Sequence, residues 1–207
     1  MTLHDPTHLY EGEIGDSTRK IARAISIITQ PQLFSVVLYA IICLIITDLT
    51  EYLKIYAVCV FFGCIFPIIE VGYYSKKTAN TDGDIYRKED RFIPLVLGTL
   101  SYALGAVALW LVSAPWLITV LFVCYTVVTG SFVFISPYWK ISIHACGMIG
   151  PTMAICQAFY PSGLLLFLLV PFICWSRYVL RKHTPAQMVG GIVVGAILTE
   201  IVFILIL

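Results

Sequence analysis

The chain has 207 residues, of which 59% are hydrophobic and only 12% are charged, and its mean hydropathy is +0.92. Soluble domains carry about 25% charged residues, so this composition leaves too little polar surface for a water-soluble globule. The formal net charge is +1 at pH 7, and we expect an integral membrane protein whose partners are membrane lipids and do not include nucleic acid.

Residues 1–30 are predicted to form a cytoplasmic tail and an interfacial amphipathic helix. The first residues are polar, and the stretch "STRKIARAISIITQP" then places Ile21, Ala24, Ile25 and Ile28 between basic residues. This pattern suits a helix that lies in the headgroup layer against anionic lipid, although a solvated helix start is also consistent with it. No basic region leads into a cleavable apolar core, so we expect no secretory signal.

Residues 31–207 are predicted to form one all-α domain, a polytopic transmembrane helical bundle. A bilayer requires about 20 apolar residues per spanning helix, and the sequence has seven runs near that length. The short joints "DLTEYLK", "SAPW" and "YPSG" predict that the helices on either side form antiparallel hairpins. The runs are 33–50, 53–74, 92–112, 115–134, 142–159, 162–178 and 186–206.

The fifth and sixth runs are short and contain residues that disfavour a regular helix. These residues are Gly147, Gly150, Pro151 and Pro171, so one of the two runs could be broken or re-entrant. We therefore expect six to seven spans, and the sequence indicates no oligomeric state.

Basic residues fall almost entirely on one side of this bundle if all seven runs cross. That side carries the N-terminal segment, the loop 75–91, Lys140 and the basic cluster after the sixth run, whereas the opposite side has only Lys54. By the positive-inside rule, the basic side is predicted to be cytoplasmic.

The seven cysteines all fall within predicted spans, where cysteine behaves as a small apolar residue. None lies at metal-ligand spacing from a histidine, and the chain has no Walker loop or GxGxxG fingerprint. The acidic residues of the loop 75–91 could bind a divalent cation, but a solvated charged loop is the favoured interpretation. We therefore expect neither a metal nor a cofactor.

Two histidines, His144 and His183, each lie at a predicted membrane boundary. Two spans separate the segment ending at Arg91 from that of His144, and two more separate His144 from His183. An even number of crossings returns the chain to the same side, so these three residues are predicted to meet at one site on the cytoplasmic face.

Such a site combines groups that suit a phosphate ester. Two imidazoles can exchange protons near neutral pH, and Arg91, Lys140 and Arg177 are fixed cations that can hold phosphate oxygens. The helix that begins near Ser142 adds backbone N–H donors. At a membrane surface, this chemistry favours a lipid phosphate as substrate.

The spacing in "SRYVLRKH", a Ser-Arg pair followed by five residues and a histidine, together with "KISIH", resembles two signatures of the type 2 phosphatidic acid phosphatase (PAP2) superfamily. The resemblance covers the chain from about residue 84 onward and implies a PAP2-like helical bundle. It implies that His183 attacks phosphorus and becomes phosphohistidine, that His144 protonates the leaving group, and that Arg177 clamps the phosphoryl oxygens.

The first PAP2 signature is only partly present. The family has a lysine, six residues and then Arg-Pro, whereas "DIYRKEDRF" supplies Arg91 with Asp84 at the lysine position and Phe92 in place of proline. Lys88 or Lys140 is a candidate for the missing charge.

The other two signatures also depart from the family pattern. The residues before His144 are Ile141, Ser142 and Ile143, without the usual glycine. Gln187 stands four residues after His183, where the family has an aspartate. Because a carboxylate would orient the imidazole and stabilise its charged form, Gln187 is expected to orient His183 through its carbonyl oxygen without adding charge.

Together with these residues, the resemblance implies a hydrolase that cleaves a membrane lipid phosphate or a polyprenyl (isoprenyl) diphosphate through a phosphohistidine intermediate. Two alternatives stay open, a phosphotransferase on the same scaffold and a non-catalytic lipid-binding or transport protein. Glu70 and Glu200 are interpreted as interfacial or paired residues, and "GGIVVG", residues 190–195, as a helix-packing surface.

Overall fold

The computed structural model describes residues 14–77 and 89–207, and this part of the chain is helical and contains no strand. Short 3-10 turns lie at Cys43–Ile45, Glu89–Arg91 and Ser162–Leu168. The α-helices are α1 (Asp16–Ile28), α2 (Pro31–Ile42), α3 (Leu49–Val60), α4 (Phe66–Lys77), α5 (Phe92–Leu111), α6 (Trp116–Ile135), α7 (Ile143–Gly147), α8 (Ile149–Ala158), α9 (Leu169–Val179) and α10 (Pro185–Ile206).

Within the described residues, five helical stretches are long and apolar enough to cross a membrane. A sixth is formed if α1 and the stretch Pro31–Ile45, which are bent by 51° relative to each other, count as one broken span. An integral membrane protein is therefore supported, with five or six candidate spans. The five are Leu49–Tyr74, Phe92–Leu111, Trp116–Ile135, Ser162–Val179 and Pro185–Ile206.

The predicted fifth run, 142–159, is not among these candidate spans. The structure divides it into the short helices α7 and α8, which are separated at Met148. Pro151 has no N–H to donate to the carbonyl of Gly147, so a regular helix is interrupted there. The expected upper count of seven uninterrupted spans is therefore not met.

The second predicted run forms one continuous helical stretch that contains an irregular turn. Phe61–Ile65 is a π-helix, and the Phe66 N–H donates to the carbonyl of Phe61 five residues earlier. Pro67 follows this turn closely and cannot donate to the carbonyl of Gly63. This explains why the α-helical hydrogen-bond pattern is interrupted at this point. The turn rotates α4 relative to α3.

Aromatic side chains fill the core between α2, α5 and α6. The rings of Tyr39 and Phe122 stack with centroids 5.7 Å apart, and Gly105 lies where any added Cβ would overlap Phe122. The outer surface is apolar, with Leu104, Trp110 and Ile204 more than half exposed. An apolar exterior around a packed core is the arrangement that a bilayer requires of a helical bundle.

Candidate active site

A cavity of about 110 Å³ lies where several helix ends meet. The start of α2, the middle of α4, the start of α5, the start of α7 and the segment before α10 all contribute to its wall. Three residues that the sequence predicted for one site, Arg91, His144 and His183, line this cavity together. Its polar lining also includes Gln30, Gln32, Glu70, Tyr102 and Thr129.

His183 reaches the cavity because of the way α9 ends. The N–H of Lys182 donates to the Arg177 carbonyl at 3.0 Å, and the N–H of Arg181 donates to the Tyr178 carbonyl at 2.9 Å. This pair of bonds is a Schellman motif, and Arg181 takes the left-handed conformation with φ 57° that glycine usually adopts there. The chain therefore reverses sharply, and His183 lies two residues further on.

The imidazole of His183 is only 3% exposed, and its Nδ1 lies 3.3 Å from the Lys140 carbonyl oxygen. A carbonyl oxygen only accepts hydrogen bonds, so Nδ1 is the protonated nitrogen in this contact. In the neutral imidazole the lone pair then resides on Nε2, which is the nitrogen that a nucleophilic role requires.

Arg91 is likewise buried, with 4% of its surface exposed. It is the last residue before α5, and its Nη1 donates to the Ile141 carbonyl at 3.2 Å. This bond fixes the guanidinium group at the cavity wall and joins the start of α5 to the segment before α7.

Residues 140–142, which we name the 140–142 strap, connect the parts of the site through their backbone. The carbonyls of Lys140 and Ile141 accept from His183 and Arg91, and the Ser142 N–H donates to the Gln187 carbonyl at 3.1 Å. The Ser142 hydroxyl also caps α7 by accepting from the Ala145 N–H at 3.3 Å. The strap therefore positions the helix that carries His144.

Gln187 does not have the position that the resemblance implied. Its Oε1 accepts from the Thr184 N–H at 3.1 Å, and its own N–H donates to the Thr184 hydroxyl at 3.3 Å. This reciprocal pair is a capping box at the start of α10. The Lys140 carbonyl accepts from His183, and the side-chain oxygen of Gln187 stabilises a helix end.

Arg177 is 3% exposed but is not part of the cavity lining. Its Nη1 donates to the Ser26 hydroxyl at 2.8 Å, and this bond links α9 to α1. The Lys140 ammonium, also predicted to bind phosphate, donates to the Lys182 carbonyl at 3.4 Å. Neither cation is among the described residues that line the cavity.

The remaining predicted positions, Asp84 and Lys88, lie outside the described residues. One group that the sequence analysis assigned to another role, Glu70, lines the cavity with 8% of its surface exposed. The signal was present in the sequence, because an ionisable residue inside an apolar run is by default a candidate for function.

A second cavity of about 60 Å³ adjoins the first. The two share Pro31, Gln32, Tyr102, Thr129 and Ile143 in their walls. The second cavity then extends between α2, α6, α8 and α10 among largely apolar and aromatic side chains. A ligand with a polar head in the first cavity thus has an adjoining space for a less polar part.

Among the described residues, no group of three or more His, Cys, Asp or Glu side chains could hold a metal ion. Comparisons with models of known families, with curated proteins and with solved structures find no match for this chain.

Proposed function

We propose that the protein is a membrane phosphatase that hydrolyses a lipid phosphate or an isoprenyl diphosphate through a phosphohistidine at His183. The observation that carries the proposal is the convergence of Arg91, His144 and His183 on one cavity from three separate parts of the chain. The resemblance of "SRYVLRKH" and "KISIH" to PAP2 signatures supports the same chemistry independently of the geometry.

In the first step, Arg91 binds the phosphoryl oxygens and stabilises the negative charge that they carry in the transition state. Nε2 of His183 attacks phosphorus in line with the ester oxygen. The P–N bond forms as the P–O bond breaks, and the electron pair of that bond moves to the leaving oxygen. His144 donates a proton to this oxygen, so the product is a neutral alcohol or, from a diphosphate, a lipid monophosphate.

In the second step, water attacks phosphorus while the neutral His144 accepts a proton from it. The P–N bond breaks, and its electron pair returns to Nε2 of His183. Inorganic phosphate leaves, and the two histidines regain their starting states. The Lys140 carbonyl holds the Nδ1 proton of His183 throughout, so the same nitrogen is presented in each cycle.

The membrane setting and the second cavity support a lipid as substrate. The hydrocarbon tail would enter between the apolar helices, and the adjoining cavity near Tyr39, Tyr125 and Thr199 offers space for the part next to the headgroup. We assign the site to the cytoplasmic face because the basic residues of the sequence concentrate at its end of the predicted bundle.

A second candidate is a lipid-phosphate-binding protein that does not turn its ligand over. The observation in its favour is the position of Arg177, which bonds to Ser26 outside the cavity lining. The position of Gln187 also favours this candidate, because its side-chain oxygen caps α10.

A substrate panel tests the proposal. Purified protein in detergent is incubated with phosphatidic acid, phosphatidylglycerol phosphate and farnesyl diphosphate, and released phosphate is measured. We expect release from at least one substrate, a loss of about 10²–10⁴-fold for His144→Ala and at least as large a loss for His183→Ala. His8→Ala is the matched histidine control and keeps full activity.

Three outcomes separate the candidates. Saturable binding of the lipids without phosphate release from any of them supports the binding protein and contradicts the phosphatase. If an acceptor alcohol is added and becomes phosphorylated while less inorganic phosphate is released, the phosphotransferase is supported. A His183→Ala variant with full activity would overturn the mechanism.

A further inference from the structure

The carboxylate of Glu70 lies in the wall of the cavity that contains Arg91, His144 and His183. Its side chain is more than nine-tenths buried, and its Oε1 has no hydrogen-bond partner among residues 14–77 and 89–207. No described residue forms an ion pair with it. The charged or titratable groups that share the described wall are the guanidinium of Arg91, the two imidazoles and the phenol of Tyr102.

The local sequence explains why a carboxylate faces this cavity. Phe61–Ile65 is a π-turn, and one extra residue in a helix corresponds to about 100° of helical phase. Gly63 allows this turn to lie against the Tyr39 ring, where a Cβ would overlap the hydroxyl. Pro67 and Glu70, one turn apart on α4, consequently both line the cavity.

A buried carboxylate oxygen without a hydrogen bond is costly in a low-dielectric interior. Glu70 makes no cap or ion pair in the described fold that would offset this cost, so its position is best explained by an effect on the ligand. In its ionised form, a carboxylate beside a phosphate site discriminates between ligands, because it repels any second anionic group and accepts hydrogen bonds from hydroxyl or ammonium donors.

We propose that Glu70 is a specificity-determining residue that favours lipid monophosphates over isoprenyl diphosphates. This inference rests on the proposed function and narrows its substrate class. A monophosphate ester gives a neutral alcohol as leaving group, whereas a diphosphate gives a leaving group that is itself an anionic monophosphate. The ionised Glu70 carboxylate lines the same cavity, so its charge acts on that second anion as well as on the first.

Binding of inorganic phosphate and pyrophosphate to the purified protein tests the inference without requiring turnover. Calorimetric titration gives the Kd of each anion for the wild type, for Glu70→Gln and for Glu70→Asp. We expect Glu70→Gln to improve pyrophosphate binding relative to phosphate by about tenfold or more, and Glu70→Asp to keep the wild-type ratio. Glu200→Gln, which removes an exposed carboxylate from α10, is the matched control and leaves the ratio unchanged.

The turnover assay supplies a second readout. The ratio of kcat/KM for farnesyl diphosphate to that for a short-chain phosphatidic acid is expected to rise by about tenfold in Glu70→Gln. An unchanged ratio in both assays, or no measurable anion binding in the wild type and in Glu70→Gln, overturns the inference. A wild type that releases no phosphate but shows the Glu70-dependent binding ratio refutes the phosphatase and retains the role of Glu70.

Discussion

Replacing Gly191 by alanine should damage the candidate site without altering any residue that lines it. Gly191 lies on the second turn of α10, and a Cβ added there would overlap the backbone carbonyl of Ser142. The contact is with backbone and not with the end of a flexible side chain, so it cannot be relieved by a rotamer change. Either α10 or the 140–142 strap must move.

The size of the effect can be worked out from this contact. The Ser142 carbonyl must withdraw by about 1 Å to restore van der Waals separation. Overpacking of this kind costs about 1–3 kcal/mol, and a loss near 2 kcal/mol lowers Tm by roughly 4–8 °C for a chain of this length. Because the same strap holds His183 and Arg91, a displacement of about 1 Å should also reduce kcat/KM by about 10²-fold.

The assay compares thermal unfolding and phosphate release in one detergent for the wild type and two alanine variants. Gly72→Ala is the matched control, because a Cβ at Gly72 would meet no atom of residues 14–77 and 89–207 within 4 Å outside its own stretch of helix. It should keep both the wild-type Tm and the wild-type kcat/KM. If Gly191→Ala behaves like Gly72→Ala in both measurements, the strap does not position the site and the reasoning is refuted.

Two further predictions concern residues near the cavity. Ser26→Ala removes the acceptor of a hydrogen bond from the buried Arg177, so the free energy of unfolding should fall by about 1–3 kcal/mol in a denaturation experiment, and Ser26→Thr should retain it. Gln187→Ala and Thr184→Ala each remove half of the same capping box, so both should lower stability by about 1 kcal/mol and change kcat to the same small extent. A much larger loss of kcat in Gln187→Ala than in Thr184→Ala would instead assign Gln187 to the chemistry.

The positions of several helices could be predicted from the sequence because each is one uninterrupted apolar run. The predicted runs 92–112, 115–134 and 186–206 differ by one residue at most at either end from α5, α6 and α10. The run 142–159 was predicted less well, because its apolar composition meets the length requirement while Gly147 and Pro151 interrupt the backbone hydrogen bonds. Composition indicates which segments tolerate lipid, not where a helix breaks.

The candidate site was predictable to the extent that it depends on the order of the helices along the chain. Counting seven crossings led to the expectation that Arg91, His144 and His183 lie near one another, and the structure places them in one cavity although it divides the fifth run into α7 and α8. The direction of Arg177 toward Ser26 could not be predicted, because it depends on how α1 packs against α9.

The contacts of the 140–142 strap were equally hidden from sequence analysis. They involve backbone carbonyls, and every residue type carries a carbonyl, so no residue pattern identifies the one that faces His183. Glu70 was visible as a charge in an apolar run, but the π-turn that directs it to the cavity depends on the packing of Gly63 against Tyr39.

The central claim is that His183 becomes covalently phosphorylated. The most direct test is to incubate the protein with ³²P-labelled phosphatidic acid or farnesyl diphosphate, quench it with alkali, and map the labelled residue by peptide sequencing. We expect a label that is stable in alkali, labile in acid and confined to His183, absent from His183→Ala and retained longer in His144→Ala, which removes the base for hydrolysis. Phosphate release without any labelled histidine, or a label on another residue, would contradict the account.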